Sequence, residues 1–328
     1  MLALGLCLTS NVALACPAPL LDIRQLVKSS DLVAVGRIES VSDAGPSESP
    51  TMSRRMYVGV LLADARLKGD TASDEIRFRF SQSTLPGDCS HSGVAAGTYR
   101  IVFLRGVDGT YEFTSGYYPS VVGAVATPPE SLDPLTRVYH VLAAVLSEPR
   151  APLNDRREAI YALRTSGNDE TRAALHALAR GGDPSLAPEA TSALILLGDV
   201  TAMVRAEAIL ADPTPYPPVS VSNVRGAIGQ IADPRAVPAL ARLMRMPAIE
   251  TRRAAAHALR RSRSPAALQP LALALDDEDI EVQYSAVAGL SEITAQTSGM
   301  PSMASFMSNP EPHLARWREW ARSVVRSP

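Results

Sequence analysis

The second half of this chain repeats itself, and that constrains the fold more than any other feature. Arg157-Glu158-Ala159-Ile160-Tyr161-Ala162-Leu163 aligns with Pro188-Glu189-Ala190-Thr191-Ser192-Ala193-Leu194. The same frame fits Arg225-Gly226-Ala227-Ile228-Gly229-Gln230-Ile231, Arg253-Ala254-Ala255-Ala256-His257-Ala258-Leu259 and Tyr284-Ser285-Ala286-Val287-Ala288-Gly289-Leu290. The equivalent apolar positions 163, 194, 231, 259 and 290 lie 31, 37, 28 and 31 residues apart. The long interval holds Pro213-Thr214-Pro215-Tyr216-Pro217-Pro218, a loop insertion. Between these segments lie helical partners such as Ala236–Leu243 and Ala266–Leu273. One such helix pair cannot bury its apolar face alone, so neighbours must stack into a continuous core.

Paired helices at a period near 31 resemble HEAT repeats of the short type. The resemblance covers more than half the chain. It implies a curved α-solenoid of five helix pairs over residues 153–328, with an extended concave surface suited to binding proteins. A linker and a first helix, over Leu132–Leu146, fill residues 126–152, where Pro128-Pro129 marks the change in composition. The segment His313–Trp320 is expected to form a capping helix with its tryptophans on the last repeat.

Residues 16–125 read differently. Apolar runs alternate with breakers: Asp31–Ile38, Arg55–Leu62, Glu75–Phe80, Thr98–Leu104 and Thr110–Phe113. Ile76, Phe78 and Phe80 at period two, with Arg77 and Arg79 between, predict a strand with one wet face. Asp43-Ala44-Gly45-Pro46, Lys68-Gly69-Asp70, Pro86-Gly87-Asp88 and Val107-Asp108-Gly109 predict the breaks, and Asp108-Gly109 predicts a hairpin. Five short strands in this length fit a small closed barrel of the OB type. The expected fold class is therefore an OB-like β-barrel followed by an α-solenoid.

Residues 1–15 read as a signal peptide, apolar and uncharged, ending in Ala13-Leu14-Ala15 ahead of Cys16. Cleavage there removes Cys7 and leaves Cys16 and Cys89, an even pair that an oxidising compartment would join. Such a bridge closes a loop of more than 70 residues, which chain entropy values at about 4 kcal/mol before strain. Val12-Ala13-Leu14-Ala15-Cys16 also fits a loose lipobox, in which Cys16 would carry a lipid anchor instead.

Cys16-Pro17-Ala18-Pro19, Ser30–Ile38, Arg66-Leu67-Lys68-Gly69, Cys89 and Gly97–Phe103 follow one another in an order similar to the N-terminal domain of tissue inhibitors of metalloproteinases and related netrin-like modules. That resemblance implies a Cys16–Cys89 bridge and a zinc metalloprotease partner, whose metal would be chelated by the Cys16 amine and carbonyl. Three positions depart from it: Ala18 and Lys28 stand where cysteines are expected, and Pro17 replaces a small hydroxyl residue.

The search for chemistry returns little. The histidines His91, His140, His176, His257 and His313 are isolated, and no H-E-x-x-H occurs. Ser90-His91-Ser92-Gly93 lacks the strand–elbow–helix setting of a serine nucleophile. No enzymatic activity and no cofactor are expected. A net charge of −2 gives no basic excess for nucleic acid, and no apolar run after the N-terminus is long enough to span a membrane. From Arg235 to Arg263 there are eight arginines and one acid, Glu250; Asp276-Asp277-Glu278-Asp279 follows a repeat later. Arg242, Arg245, Arg252, Arg253, Arg260 and Arg261 are candidates for a face that takes an anionic partner; the alternative is a solvated face balanced by the acidic loop. The 30 arginines and 2 lysines, with the many alanines, reflect genomic base bias. With the domain pairing, they point to a protein-binding scaffold that is secreted, periplasmic or otherwise in a bacterial cell envelope.

Cys16 is where these readings separate. N-terminal sequencing and intact mass of the exported protein should give a start at Cys16 and a gain of about two mass units on reduction. A diacylglycerol mass, or an uncut segment, would exclude zinc chelation, which needs a free amine.

Overall fold

The alternating segments close on themselves. In the computed structural model, which describes residues 21–46, 54–83, 94–116 and 120–325, β1 (Leu32–Pro46) pairs antiparallel with β2 (Arg54–Lys68), and β2 with β3 (Glu75–Ser83). β3 pairs in parallel with β5 (Thr110–Phe113) at Phe78 and Tyr111. β5 returns antiparallel to β4 (Tyr99–Val107), and β4 closes the circuit on β1, with Leu32 opposite Leu104. The order β1-β2-β3-β5-β4-β1 is a closed five-stranded, OB-like barrel, and β6 (Ser120–Val122) adds beside β4. Leu32, Ile38, Leu61, Ile76, Phe78 and Leu104 fill its interior. Phe113 lies 4.9 Å from Phe78 and 5.4 Å from Phe80 between ring centroids. Arg77 and Arg79 face water, as the period of two requires.

Asp43–Pro46 does not break the first strand as expected. β1 continues to Pro46 opposite Arg55, with register shifts at Ile38/Ser40 and Asp43/Gly45. The bulge at Gly45, whose φ is +97°, absorbs the turn residues. Asp43 holds it by accepting from the Gly45 amide at 2.8 Å and pairing with Arg55 at 2.5 Å. At Gly36 the strands cross so closely that a Cβ would sit 2.0 Å from the Leu62 carbonyl oxygen.

A short helix, α1 (Ile23–Ser29), precedes the barrel, and the sequence reading did not include it. Asp22 caps its start by accepting from the Arg24 amide at 2.9 Å. Its C-terminal carbonyls are met by a single ammonium: Lys68 Nζ donates to the oxygens of Val27, Lys28 and Ser30 at 2.7, 3.1 and 2.5 Å. These are the acceptors a helix end leaves unpaired, at the end where the dipole favours a cation. The segment 1–15, Cys16, Cys89 and His91 lie outside the described residues, as do Pro17, Ala18 and Pro86-Gly87-Asp88.

The chain divides into two compact units, 1–145 and 146–328. Helix α2 (Pro134–Ser147) starts with Asp133 accepting from the amides of Leu135 and Thr136. The second unit is a helical repeat array: α3 (Leu153–Ala162), α4 (Asp169–Arg180), α5 (Ala187–Leu196), α6 (Met203–Ala211), α7 (Pro218–Gly229), α8 (Val237–Leu243), α9 (Ile249–Ser262), α10 (Leu268–Ala274) and α11 (Ile280–Ile293). The five aligned segments fall on α3, α5, α7, α9 and α11. Short 3-10 turns lead into α6, α8 and α10, each started by Asp199, Asp233 or Ser264 accepting from the amide two residues on. After α12 (Met303–Ser308), α13 (Glu311–Val325) closes the array. Trp317 is buried and meets Trp320 edge-on at 5.3 Å, and Arg318 binds Asp276 at 2.7 Å and the Leu275 carbonyl at 3.1 Å.

Lys68→Met keeps most of the side chain's volume and strips all three donors. It is expected to cost the barrel about 2 kcal/mol, read as a lower midpoint in urea with unchanged m. A loss below about 0.5 kcal/mol would mean that water serves those carbonyls equally well.

Candidate functional site

Each repeat contributes one helix to a common wall. α3, α5, α7, α9 and α11 pack side by side in sequence order, and the alanine at the third frame position (159, 190, 227, 255, 286) is buried in all five. On α3, α7 and α9 the first, second and fifth frame positions turn outward on one stripe, whereas Pro188 and Ser192 of α5 and Ser285 and Ala288 of α11 are buried. Two grooves run along that stripe. One, of about 450 Å³, is lined by Arg157, Tyr161 and Arg164 of α3 or its end, Glu189 and Ser192 of α5, and Asn223 of α7. The other, of about 620 Å³, is lined by Ser222, Arg225, Gly226 and Gly229 of α7, Glu250, Arg253, His257 and Arg260 of α9, and Glu281 and Tyr284 of α11. Asn223 lines the first and its sequence neighbour Ser222 the second.

Most charges here are already matched. Arg157 pairs with Glu189 at 3.4 Å, and the Ser220 hydroxyl donates to the same carboxylate at 3.4 Å. Burial pushes the Glu189 carboxyl up, against the opposing pull of Arg157. Arg253 binds Asp279 at 2.7 Å and Glu281 at 2.9 Å. The guanidinium holds the Asp279 carboxyl below its ordinary value while Asp279 also caps α11. Arg260 pairs with Glu292 at 2.5 Å and stands over the Tyr284 ring at 5.9 Å. His257 donates from Nδ1 to the Gly229 carbonyl at 2.9 Å, which leaves Nε2 of this exposed ring for a ligand.

The six arginines singled out in the sequence do not share one face. Arg253 and Arg260 line the larger groove. Arg252 is buried, bonded to Asp277 and Glu278 at 2.8 Å each and to the carbonyls of Met246 and Pro247. Arg242 crosses from α8 to Glu207 of α6 at 2.6 Å. Arg245 lines a separate 200 Å³ cavity with Met244, Leu273 and Asp277, and Arg261 is exposed. Each acid of the run Asp276–Asp279 holds an arginine: Arg318, Arg252, Arg252 and Arg253 in turn. The sequence reading does not single out Glu189, Ser192, Asn223 or Tyr284 as groove residues. Glu189, Ser192 and Tyr284 occupy polar positions of the repeat frame, and Asn223 lies two residues before it.

Among the described residues, no group of three or more His, Cys, Asp or Glu converges as a metal site would require. His176 pairs with Asp199 at 2.7 Å. No helix among them is long and apolar enough to cross a membrane.

Residues 222–291 match a family model for HEAT repeats. That stretch runs from within α7 to within α11 and holds the larger groove's lining except Met303 of α12. The C-terminal unit is thus a HEAT-like solenoid in fold. No curated protein matches the chain. Among solved structures, it is similar to a designed armadillo repeat protein in complex with the peptide (KR)4, at 18% identity over 46% of this chain and 80% of that one, TM-score 0.35. The CpcE–CpcF complex of phycocyanin lyase from Nostoc sp. PCC7120 aligns at 20% identity over 53% and 70%, TM-score 0.37. Human deoxyhypusine hydroxylase aligns at 19% over 57% and 73%, TM-score 0.26.

Arg252→Ala leaves Asp277 buried without its partner. A loss of about 3 kcal/mol is expected in chemical denaturation, whereas Arg261→Ala, at an exposed position, should change stability by less than about 0.5 kcal/mol. Equal effects from the two would deny Arg252 its place between the repeats.

Proposed function

We propose that this protein is a non-enzymatic scaffold whose solenoid holds an extended segment of a protein partner along the wall formed by α3, α5, α7, α9 and α11. One observation carries the reading: two grooves, lined by the sequence neighbours Asn223 and Ser222 on α7, together take in residues from all five of these helices. Such a strip suits a chain running across the helices, which each repeat contacts with its own side chains. Because Arg157, Arg253 and Arg260 are neutralised internally, the strip is not a uniform cationic surface. Its unspent groups include Nε2 of His257 and the side chains of Asn223 and Ser222, which suit peptide backbone and mixed side chains.

Export to the cell envelope belongs to the same proposal and is supported by the apolar residues 1–15 and the Ala13-Leu14-Ala15 site. Metalloprotease inhibition is the narrower reading of the barrel. It rests on Cys16, Cys89 and the order of motifs in the sequence, with Pro17 and Ala18 against it.

Site-specific photo-crosslinking tests the binding strip. At Gly226 an added side chain meets no atom within 4 Å, so a photoreactive residue fits there. Position Val204, 73% exposed on α6, is the control outside the strip. In cells of the native host, crosslinked partners should appear at position 226 and not at 204. Adducts of equal yield at both positions, or none at 226, would remove the strip as the binding surface.

A further inference from the structure

A second polar basin lies on the outer face of the barrel. Arg54 at the start of β2, Arg79 of β3 and Arg105 of β4 line a cavity of about 230 Å³, with Met56, Ser81 and Glu112 between them. The strand pairing explains the grouping. Arg79 stands opposite Glu112, and Glu112 opposite Arg105, so three charges form one row across β3, β5 and β4. Met56 stands opposite Ser81, which makes the floor between that row and Arg54.

Charge within the basin is unbalanced. Three guanidinium groups face one carboxylate, and only Arg105 reaches it, at a loose 3.7 Å. Arg54 is the most telling of the three. Its Nε is buried without a hydrogen-bond partner. Four other arginines among the described residues have a buried Nε without a hydrogen bond, and each of those has an acceptor or ion-pair partner: Arg66 has Asp74, Arg156 the Leu146 carbonyl, Arg157 Glu189 and Arg205 the Tyr216 hydroxyl. Among the described residues, the side chain of neither Arg54 nor Arg79 has a hydrogen-bond or ion-pair partner, although those of the neighbouring Arg55 and Arg77 pair with Asp43 and Glu75. A buried guanidinium edge with nothing to donate to carries a desolvation cost that a ligand oxygen would relieve.

We propose that this basin binds a tetrahedral oxyanion, a phosphate or sulfate group carried on a larger ligand, between Arg54 on one side and Arg79 with Arg105 on the other. The guanidinium fork is matched to such oxygens and bonds them in pairs. The cavity has room for one anion and the first atoms of its ester. The inference is independent of the solenoid strip, since every residue in it belongs to the barrel.

Titration calorimetry on the full-length chain tests it, with inorganic phosphate, inorganic sulfate and acetate as probes at ionic strength held constant with sodium chloride. Saturable binding of phosphate, sulfate or both is expected, with acetate binding far more weakly; which of the two binds tighter separates the phosphate source from the sulfate source. Arg54→Ala and Arg79→Ala should each weaken the anion about tenfold, the loss of one charge-assisted contact. Arg77→Ala, on the same outer face but already paired with Glu75, should leave it unchanged. Circular dichroism and thermal midpoints would establish that the variants fold. Absence of saturable binding by either oxyanion overturns the proposal. So does acetate binding as tightly, or Arg77→Ala weakening the anion as much as Arg79→Ala.

Discussion

The close approach of one repeat helix to the next is the constraint on which the solenoid depends. The third frame position is a buried alanine in all five repeats, so a methyl group is what each helix presents there. Between α9 and α11 even a methyl group is tight: a Cβ on Gly289 would meet Leu271 Cδ1 at 2.8 Å and the Arg260 Cα at 3.3 Å. Overpacking such a contact forces backbone shifts, because protein interiors do not have the slack to absorb a methylene. The small residues therefore fix the spacing of the wall, and the spacing decides which side chains can reach across it. Arg260 meets Glu292 and Arg253 meets Asp279 because their helices sit this close.

Much of this was legible in the sequence, for a specific reason. A repeat samples the same environment five times, so Ala159, Ala190, Ala227, Ala255 and Ala286 report one burial pattern. The barrel strands were legible from their alternation, as Ile76, Phe78 and Phe80 illustrate. What could not be read was set by partners distant in the chain. Helix α1 is too short to show a periodic face, and it is completed by Lys68, some 40 residues later. Asp43–Pro46 carries turn residues, yet long-range pairing with β2 turns it into a bulged strand end. Local composition alone contains neither fact.

The arginine run shows the same limit for function. Density in the sequence says where charges are attached, and helical geometry then sends them in different directions. Arg252 and Arg253 are adjacent, but one enters the core between repeats and the other enters the groove. The acidic run Asp276–Asp279 arrives one repeat later and is consumed by these arginines and by Arg318. The ion pairs join successive repeats and lock their register, so they serve the array before they serve any ligand.

Unspent capacity is therefore a better guide to binding than charge density. In the solenoid, Arg157, Arg253 and Arg260 have their carboxylates, and the proposed recognition falls to groups such as His257 Nε2. In the barrel the logic reverses. Arg54, Arg79 and Arg105 are scattered along three strands and form no run, yet they converge on one cavity with a single loosely held acid. Closing the sheet creates that convergence, because it sets residues from β2, β3 and β4 around one floor. A barrel core would be equally well sealed with polar uncharged residues on that outer face. Among the described residues the Arg54 and Arg79 side chains have no partner, and on an outer face they add nothing to the packing inside, which is what makes an outside ligand the proposal for them.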